Sequence, residues 1–369
     1  MTETNWGTSK VAFIPGLRLS RLYYQQIIAP LLQQHDPDLE YSAGLVGYGS
    51  DVLGFDTPMS RDHMWGPRLV LFLTDENYDT RQPELDAFFR RHLPVEFLGY
   101  PTGFGPPDRE GVRLLQRCPP GAVDHLIQIT TPARFLKTEL GCDLSQPLSA
   151  ADWLTFAEQK LLAVTGGALF HDHLGVETLR AQLRYYPTDV WLYLMASQWM
   201  RVSQEEAFIG RTGDNGDDLG SRVIAARMAE NLMHLAFLQH RQYAPYSKWF
   251  GTAFQNLPDI QNLSDELETA LTAEAWQTRE NHLCAAYLHC ARLHNQLKRT
   301  EEIEPAITRF HGRPYRVLGA DRFAHALQAQ IKDEQLRQTA LHGSINQFAN
   351  STDLLGQPEL CRKIKPLYE

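Results

Sequence analysis

The stretch from Gly47 to Leu73, GYGSDVLGFDTPMSRDHMWGPRLVLFL, collects residue types that handle phosphate and a divalent cation. Gly49 and Ser50 follow an apolar run that ends at Val46. Glycine lets backbone N–H groups approach a phosphate closely and the serine hydroxyl adds a donor, which makes this pair a candidate triphosphate site. Asp62, further along, is the candidate ligand for Mg²⁺ on those phosphates, because a hard cation takes oxygen ligands. Metal-assisted phosphoryl transfer calls for a second carboxylate two residues on, where both acids share one face of a strand. Position 64 is Met, and a soft thioether does not replace a carboxylate toward Mg²⁺. Asp51 and Asp56 lie between these points with no spacing argument behind them, and the next candidate strand offers Asp124 and Gln128 for a third acid position. Asp62 has a structural alternative, capping a turn or pairing with Arg61 or Arg68. Arg68 is either a phosphate contact or an ion-pair partner. His63 and Trp65 are expected to pack, away from the face of Asp62.

These residues need elements to hold them. Apolar positions recur at helical spacing from Gly16 to Gln34, predicting an amphipathic opening helix. Strands are predicted at Tyr41 to Val46, Leu69 to Leu73 and His125 to Thr130, with a helix at Pro83 to Arg91 whose proline sits in its first turn. The Gly/Pro-rich stretch Gly99 to Asp108 reads as an irregular loop or flap. Past a linker-like Gly141 to Pro147 the pattern turns helical. Ser149 caps a helix through Trp153 to Leu162, and Ser221 to Gln239 and Ser264 to Leu297 are long helical candidates. His311 to Ala320 should interrupt the helices, and the tail after Gly343 looks less regular. The expected fold class is α+β, with an α/β domain and a mixed sheet over residues 1–147 and a mostly α-helical domain over 148–369.

In the helical part, Lys248 of Tyr243 to Trp249 (YAPYSKW) either reaches a phosphate or acceptor or lays its stem along Trp249. Arg211 and Arg222 flank the acidic loop Gly213 to Gly220 and face a cleft or neutralise Asp214, Asp217 and Asp218. His171 and His173 share a face if Asp172 lies on a strand, but two ligands make no zinc site, and Asp172 is expected to support the domain junction. His282, His289, Cys290 and His294 include a Cys/His pair at i, i+4, for which amphipathic packing is the preferred reading.

The Gly49-Ser50 pair followed by Asp62-His63-Met64 resembles the signature of the kanamycin-nucleotidyltransferase-like branch of the nucleotidyltransferase superfamily. The wider string resembles the DUF4037 family, whose usual wording here is Ser-Arg-Asp-His-Asp-Trp-Gly-Pro-Arg. Gly166 to Pro187, Gly210-Arg211, Gly220 to Arg227, Tyr243 to Trp249 and Gly343 to Leu355 also read like that family. The resemblance implies transfer of a nucleoside monophosphate from a nucleoside triphosphate (NTP) to an acceptor with two Mg²⁺ ions. The departure falls on the second acid, Met64. Two readings follow: an enzyme that binds NTP through Gly49 and Ser50, assisted by Arg68 and Lys248, with Asp62 holding Mg²⁺ and an acceptor pocket in the helical domain, or an impaired binding or regulatory module. An interaction protein using its helical surface ranks third.

Charge limits the partners. With 35 basic against 44 acidic residues and a net charge of −9, no extended nucleic-acid surface is expected, since such surfaces need clustered Lys and Arg. Five cysteines in 369 residues do not make a disulfide framework. A polar Met1 to Lys10 and the lack of any apolar run of about 20 residues point to a cytoplasmic protein without a membrane span.

Overall fold

Buried side chains at Leu19, Tyr23, Tyr24, Ile28 and Leu32 set the opening element. Helix α1 (Gly16–Tyr23) runs through a π-helical turn (Tyr24–Ile28) into α2 (Ala29–His35), and the wider turn lets both adjacent tyrosines reach the interior. This computed structural model describes residues 12–142, 144 and 146–369, and of Asp62 the backbone alone. Met1 to Lys10 lie outside the described residues.

Strand β1 (Tyr41–Leu45) pairs antiparallel with β2 (Leu69–Leu73). Every residue of β2 is buried, because it lies inside the sheet with both faces covered. Leu69, Leu71 and Leu73 join α1, α2 and α4 (Asp75–His92) in one core, while Phe72 meets Phe135 of α5 (Pro132–Leu140) on the other face. Helix α4 starts eight residues before the expected Pro83, which sits inside it. Its acidic first turn (Asp75, Glu76) and basic last turn (Arg90, Arg91, His92) suit the helix dipole, and one interior proline does not end it. The expected flap at 99–108 is instead partly ordered and buried. There β3 (Glu96–Phe97) pairs with β4 (Tyr100–Pro101), β5 (Gly103–Phe104) pairs with β6 (Leu115–Gln116), and Tyr100, Thr102 and Phe104 face inward. Strand β7 (Ile127–Thr130) lies parallel to β2.

The predicted helix 153–162 is two helices, α6 (Ala150–Thr155) and α7 (Glu158–Thr165), broken where Phe156 turns extended. Ser149 caps α6 as expected, in a reciprocal pair with Asp152. The chain then forms β8 (Ala168–Asp172), which pairs with the free edge of β1 and completes the mixed sheet in the order β7-β2-β1-β8. Gly44 permits this pairing, since a Cβ there would stand 2.5 Å from the Ala168 carbonyl oxygen. Helix α8 (Val176–Gln182) follows. Residues 1–145 and 161–184 form one compact unit, and 146–160 and 185–369 form another. Where one change of domain at 147/148 was expected, the chain returns once to the first unit before leaving it.

The second unit is helical. Helix α9 (Thr188–Glu205) is buried nearly all round, from Val190 to Trp199, as suits a central helix. Around it come α10 (Phe208–Asp214), α11 (Asp218–Gln239), α12 (Ser247–Gln255), α13 (Gln261–Thr272) and α14 (Trp276–Gln296). The predicted helix 264–297 is therefore two, separated at 273–275, where the sequence has no Gly or Pro to mark the break. A small hairpin of β9 (Thr308–Arg309) and β10 (Arg316–Val317) supplies the expected interruption before α15 (Asp321–Gln328). No described helix is long and apolar enough to cross a membrane.

Candidate functional site

Because β1 and β2 are antiparallel, the turn that leaves β1 and the segment that enters β2 lie at the same end of the sheet. The turn carries Gly47 (φ 91°) and Gly49 (φ 142°), backbone conformations that favour glycine, and Ser50 opens the short helix α3 (Ser50–Leu53). It is braced from behind within the same unit. Gly47 N–H donates to the Ala163 carbonyl at 2.7 Å, and Gly167 N–H donates to the Val52 carbonyl at 2.9 Å. Gly167 has no room for a side chain, since a Cβ would lie 1.9 Å from the Leu45 carbonyl oxygen. Buried Arg180 holds this brace by donating to the carbonyls of Val164, Thr165 and Gly166 at 2.7–2.9 Å.

Arg68 approaches the turn from the start of β2. Its Nη2 donates to the Tyr48 carbonyl at 2.8 Å and to Asp51 Oδ1 at 2.7 Å, and that same Oδ1 accepts the Val52 N–H at 3.0 Å. Asp51 is only 1% exposed. Asp56 Oδ2 accepts from the Gly16 N–H at the start of α1 (2.7 Å) and from the Trp65 indole N–H (2.9 Å). Both acids between Ser50 and Asp62 are therefore committed to structure.

The strand geometry expected for positions 62 and 64 does not hold. Asp62 ends a 3₁₀ turn (Pro58–Asp62) capped by Thr57, and β2 begins only at Leu69. Met64 lies between them at φ 45°, its N–H donating to the Arg113 carbonyl at 3.0 Å. Residues 62 and 64 thus share no strand face. The Asp62 side chain lies outside the described atoms. Trp65 packs as expected, whereas His63 is exposed, because the left-handed turn at Met64 replaces strand alternation. Asp124 pairs with Arg90 at 2.7 Å and Arg113 at 2.6 Å, and Gln128 is exposed, so neither serves as a third acid.

Lys248 belongs to the second unit, exposed near the start of α12 with its Nζ 5.1 Å from the Trp249 ring centre. Asp172 has a local task within the first unit rather than one at a junction. It accepts from the Ser42 hydroxyl and from the Val176 and Glu177 N–H groups, joining β8 to α8. His173 pairs with Glu40 at 3.5 Å and the His171 ring lies against Tyr41. On α14, His282 pairs with Glu266, His294 bonds Thr300, and burial pushes the Cys290 thiol up to about 12. Arg222 pairs with Asp218, Asp217 caps α11, Asp214 accepts from the Tyr315 hydroxyl, and Arg211 lies over Phe208. No three His, Cys, Asp or Glu side chains gather into a metal site among the described residues. Asp51, Asp56 and Asp124, the other acids read as cation candidates, are thus engaged by protein groups.

Sequence reasoning weighed Asp51 without finding its partner Arg68, and passed over the brace made by Arg180 and the Gly166-Gly167 pair. The doubled glycine was the one available signal. It also missed two buried glutamates of the second unit. Glu158 accepts from the Tyr186 hydroxyl and the Ala244 N–H, and Glu206 accepts from the N–H groups of Leu318, Gly319 and Ala320. Burial raises each carboxyl to about 7.

The architecture is that of an α+β protein with a mixed four-stranded sheet and a helical C-terminal part. Residues 153–250 match the family described as a domain of unknown function, DUF4037. That match supports the DUF4037 resemblance and leaves the Gly49 to Asp62 segment outside it. No curated protein matches the chain.

Proposed function

We propose that the chain is a nucleotidyltransferase-like module that binds a nucleoside triphosphate at the turn leaving β1, through backbone N–H groups around Gly49 and the Ser50 hydroxyl. The reading is carried by the position of the Gly49-Ser50 turn and the Asp62 segment at one end of the β1–β2 pair. The phosphates would meet the backbone N–H groups of a glycine-containing turn beside the Arg68–Asp51 pair. Asp62 is the carboxylate we assign to a Mg²⁺ ion carried by the triphosphate. With Asp51 and Asp56 engaged and Met at position 64, we place binding ahead of turnover.

Titration of a fluorescent ATP analogue with Mg²⁺ tests the assignment. Ser50→Ala and Asp62→Ala should each weaken binding; unchanged binding in both would remove the site. The second reading, nucleotidyl transfer to an acceptor, rests on the same adjoining segments and their resemblance to the superfamily signature. Pyrophosphate release that disappears in Asp62→Ala would establish it. A gain of release in Met64→Asp would show that only the second acid is missing.

A further inference from the structure

We infer that Arg68 and Asp51 are positioning residues of the phosphate-binding turn, holding its shape without touching the ligand. The inference rests on the nucleotide-binding reading above. Its basis is a closed ring of contacts. Arg68 Nη2 spans the Tyr48 carbonyl (2.8 Å) and Asp51 Oδ1 (2.7 Å), the residues on either side of Gly49-Ser50. The guanidinium therefore bridges the turn across its mouth, and Asp51 Oδ1 also fixes the Val52 N–H at the start of α3. Gly49 lies under this bridge. A Cβ there would stand 2.1 Å from Asp51 Oδ1 and 2.5 Å from Arg68 Nη2, so bridge and glycine require each other.

The pair is withdrawn from solvent, with side-chain exposures of 14% for Arg68 and 2% for Asp51. An arginine that reads a phosphate from solution needs a donor fork free to face it. Here Nη2 is already shared between two acceptors of the protein itself, and Nε, like Asp51 Oδ2, is buried without a partner and closed off from solution. Breaking a buried pair by removing one partner leaves the other charge uncompensated, so loss of either residue should disturb the turn to a similar degree. With the back of the turn fixed by Gly47–Ala163 and Gly167–Val52 bonds, the Arg68 bridge is what fixes the front.

The test compares Arg68→Lys, Asp51→Asn and Gly49→Ala with wild type in the full chain, reading affinity for a fluorescent ATP analogue with Mg²⁺, competition by adenosine, and thermal melting. Positioning predicts that all three weaken triphosphate binding about tenfold or more, as expected for loss of a hydrogen bond to a charged group. Adenosine affinity should move far less, and combining Arg68→Lys with Asp51→Asn should add little. If Arg68 instead contacts phosphate, Asp51→Asn frees the guanidinium and triphosphate affinity holds or rises, which overturns the proposal. Equal losses for triphosphate and adenosine, tracking the fall in melting temperature, would reduce the pair to a stability role and likewise overturn it. Arg68→Lys keeps the charge, so it remains informative if Asp51→Asn does not fold. Failure of the underlying reading has a separate signature: Ser50→Ala and Asp62→Ala would leave wild-type binding untouched.

Discussion

At the scale of single residues, the turn is defined as much by what is missing as by what is present. Gly49→Ala sets a methyl group against Asp51 and Arg68 at a φ of 142°. We expect a loss of at least about 2 kcal/mol in urea unfolding, from strain together with disruption of a buried ion pair. Met64 presents the opposite case. A side chain larger than Asn or Asp at φ 45° costs about 1 kcal/mol or more. Met64→Gly should therefore stabilise the protein by up to about 1 kcal/mol, and an unchanged or lower unfolding midpoint would contradict this. Gly49, Ser50 and Asp62 were legible as candidates because their types carry the chemistry. The left-handed turn at Met64 was not, since its sequence reads equally well as the start of a strand, and Asp51 gave no sign that its partner would arrive from Arg68.

Elements were most readable where an apolar run met clear flanks. Leu69 to Leu73 is a strand with the expected bounds, and the opening helix spans the predicted stretch. Errors came where punctuation and packing disagreed. Pro83 looked like a beginning yet lies inside α4, and 273–275 breaks a helix without any breaker residue. Strand β8 looks weak because its residues are half-buried or exposed, as suits an edge, and its neighbours gave no cue that it would cross back to β1. Asp172 secures that edge by bonding Ser42 on β1 and the first N–H groups of α8. Asp172→Ala should cost about 1–2 kcal/mol, the range of a lost helix cap. Hydrogen exchange should quicken along β8 and α8 while the interior of α4 stays protected. Uniform quickening throughout the unit would show that Asp172 does not act locally.

For the molecule as a whole, buried charge sets the response to pH. Glu158 and Glu206 have carboxyls raised from 4.5 to about 7 by burial. A carboxyl raised on folding contributes stability that is intact below about pH 4.5 and lost as pH climbs through about 7. His294 and His234, lowered from 6.5 to about 4 by burial, act in the opposite sense, their penalty easing as pH rises over that interval. The opposing slopes should leave the wild type with a shallow profile between about pH 4.5 and 6.5. Replacing both glutamates with glutamine removes one slope. Relative to wild type, Glu158→Gln/Glu206→Gln should gain stability as pH rises from about 4.5 to 7, by roughly 3 kcal/mol per site at most. A difference that stays constant across that range would refute the assignment.

The return of the chain to supply β8 also bears on biosynthesis. While the ribosome is still short of residue 172, the sheet has β1 as an open border, a row of unpaired backbone groups inviting another nascent chain. A fragment released at residue 147 should aggregate. The first unit can close only after residues 146–160, which belong to the second, have already emerged, so the excursion lengthens the time for which that border stays exposed during synthesis.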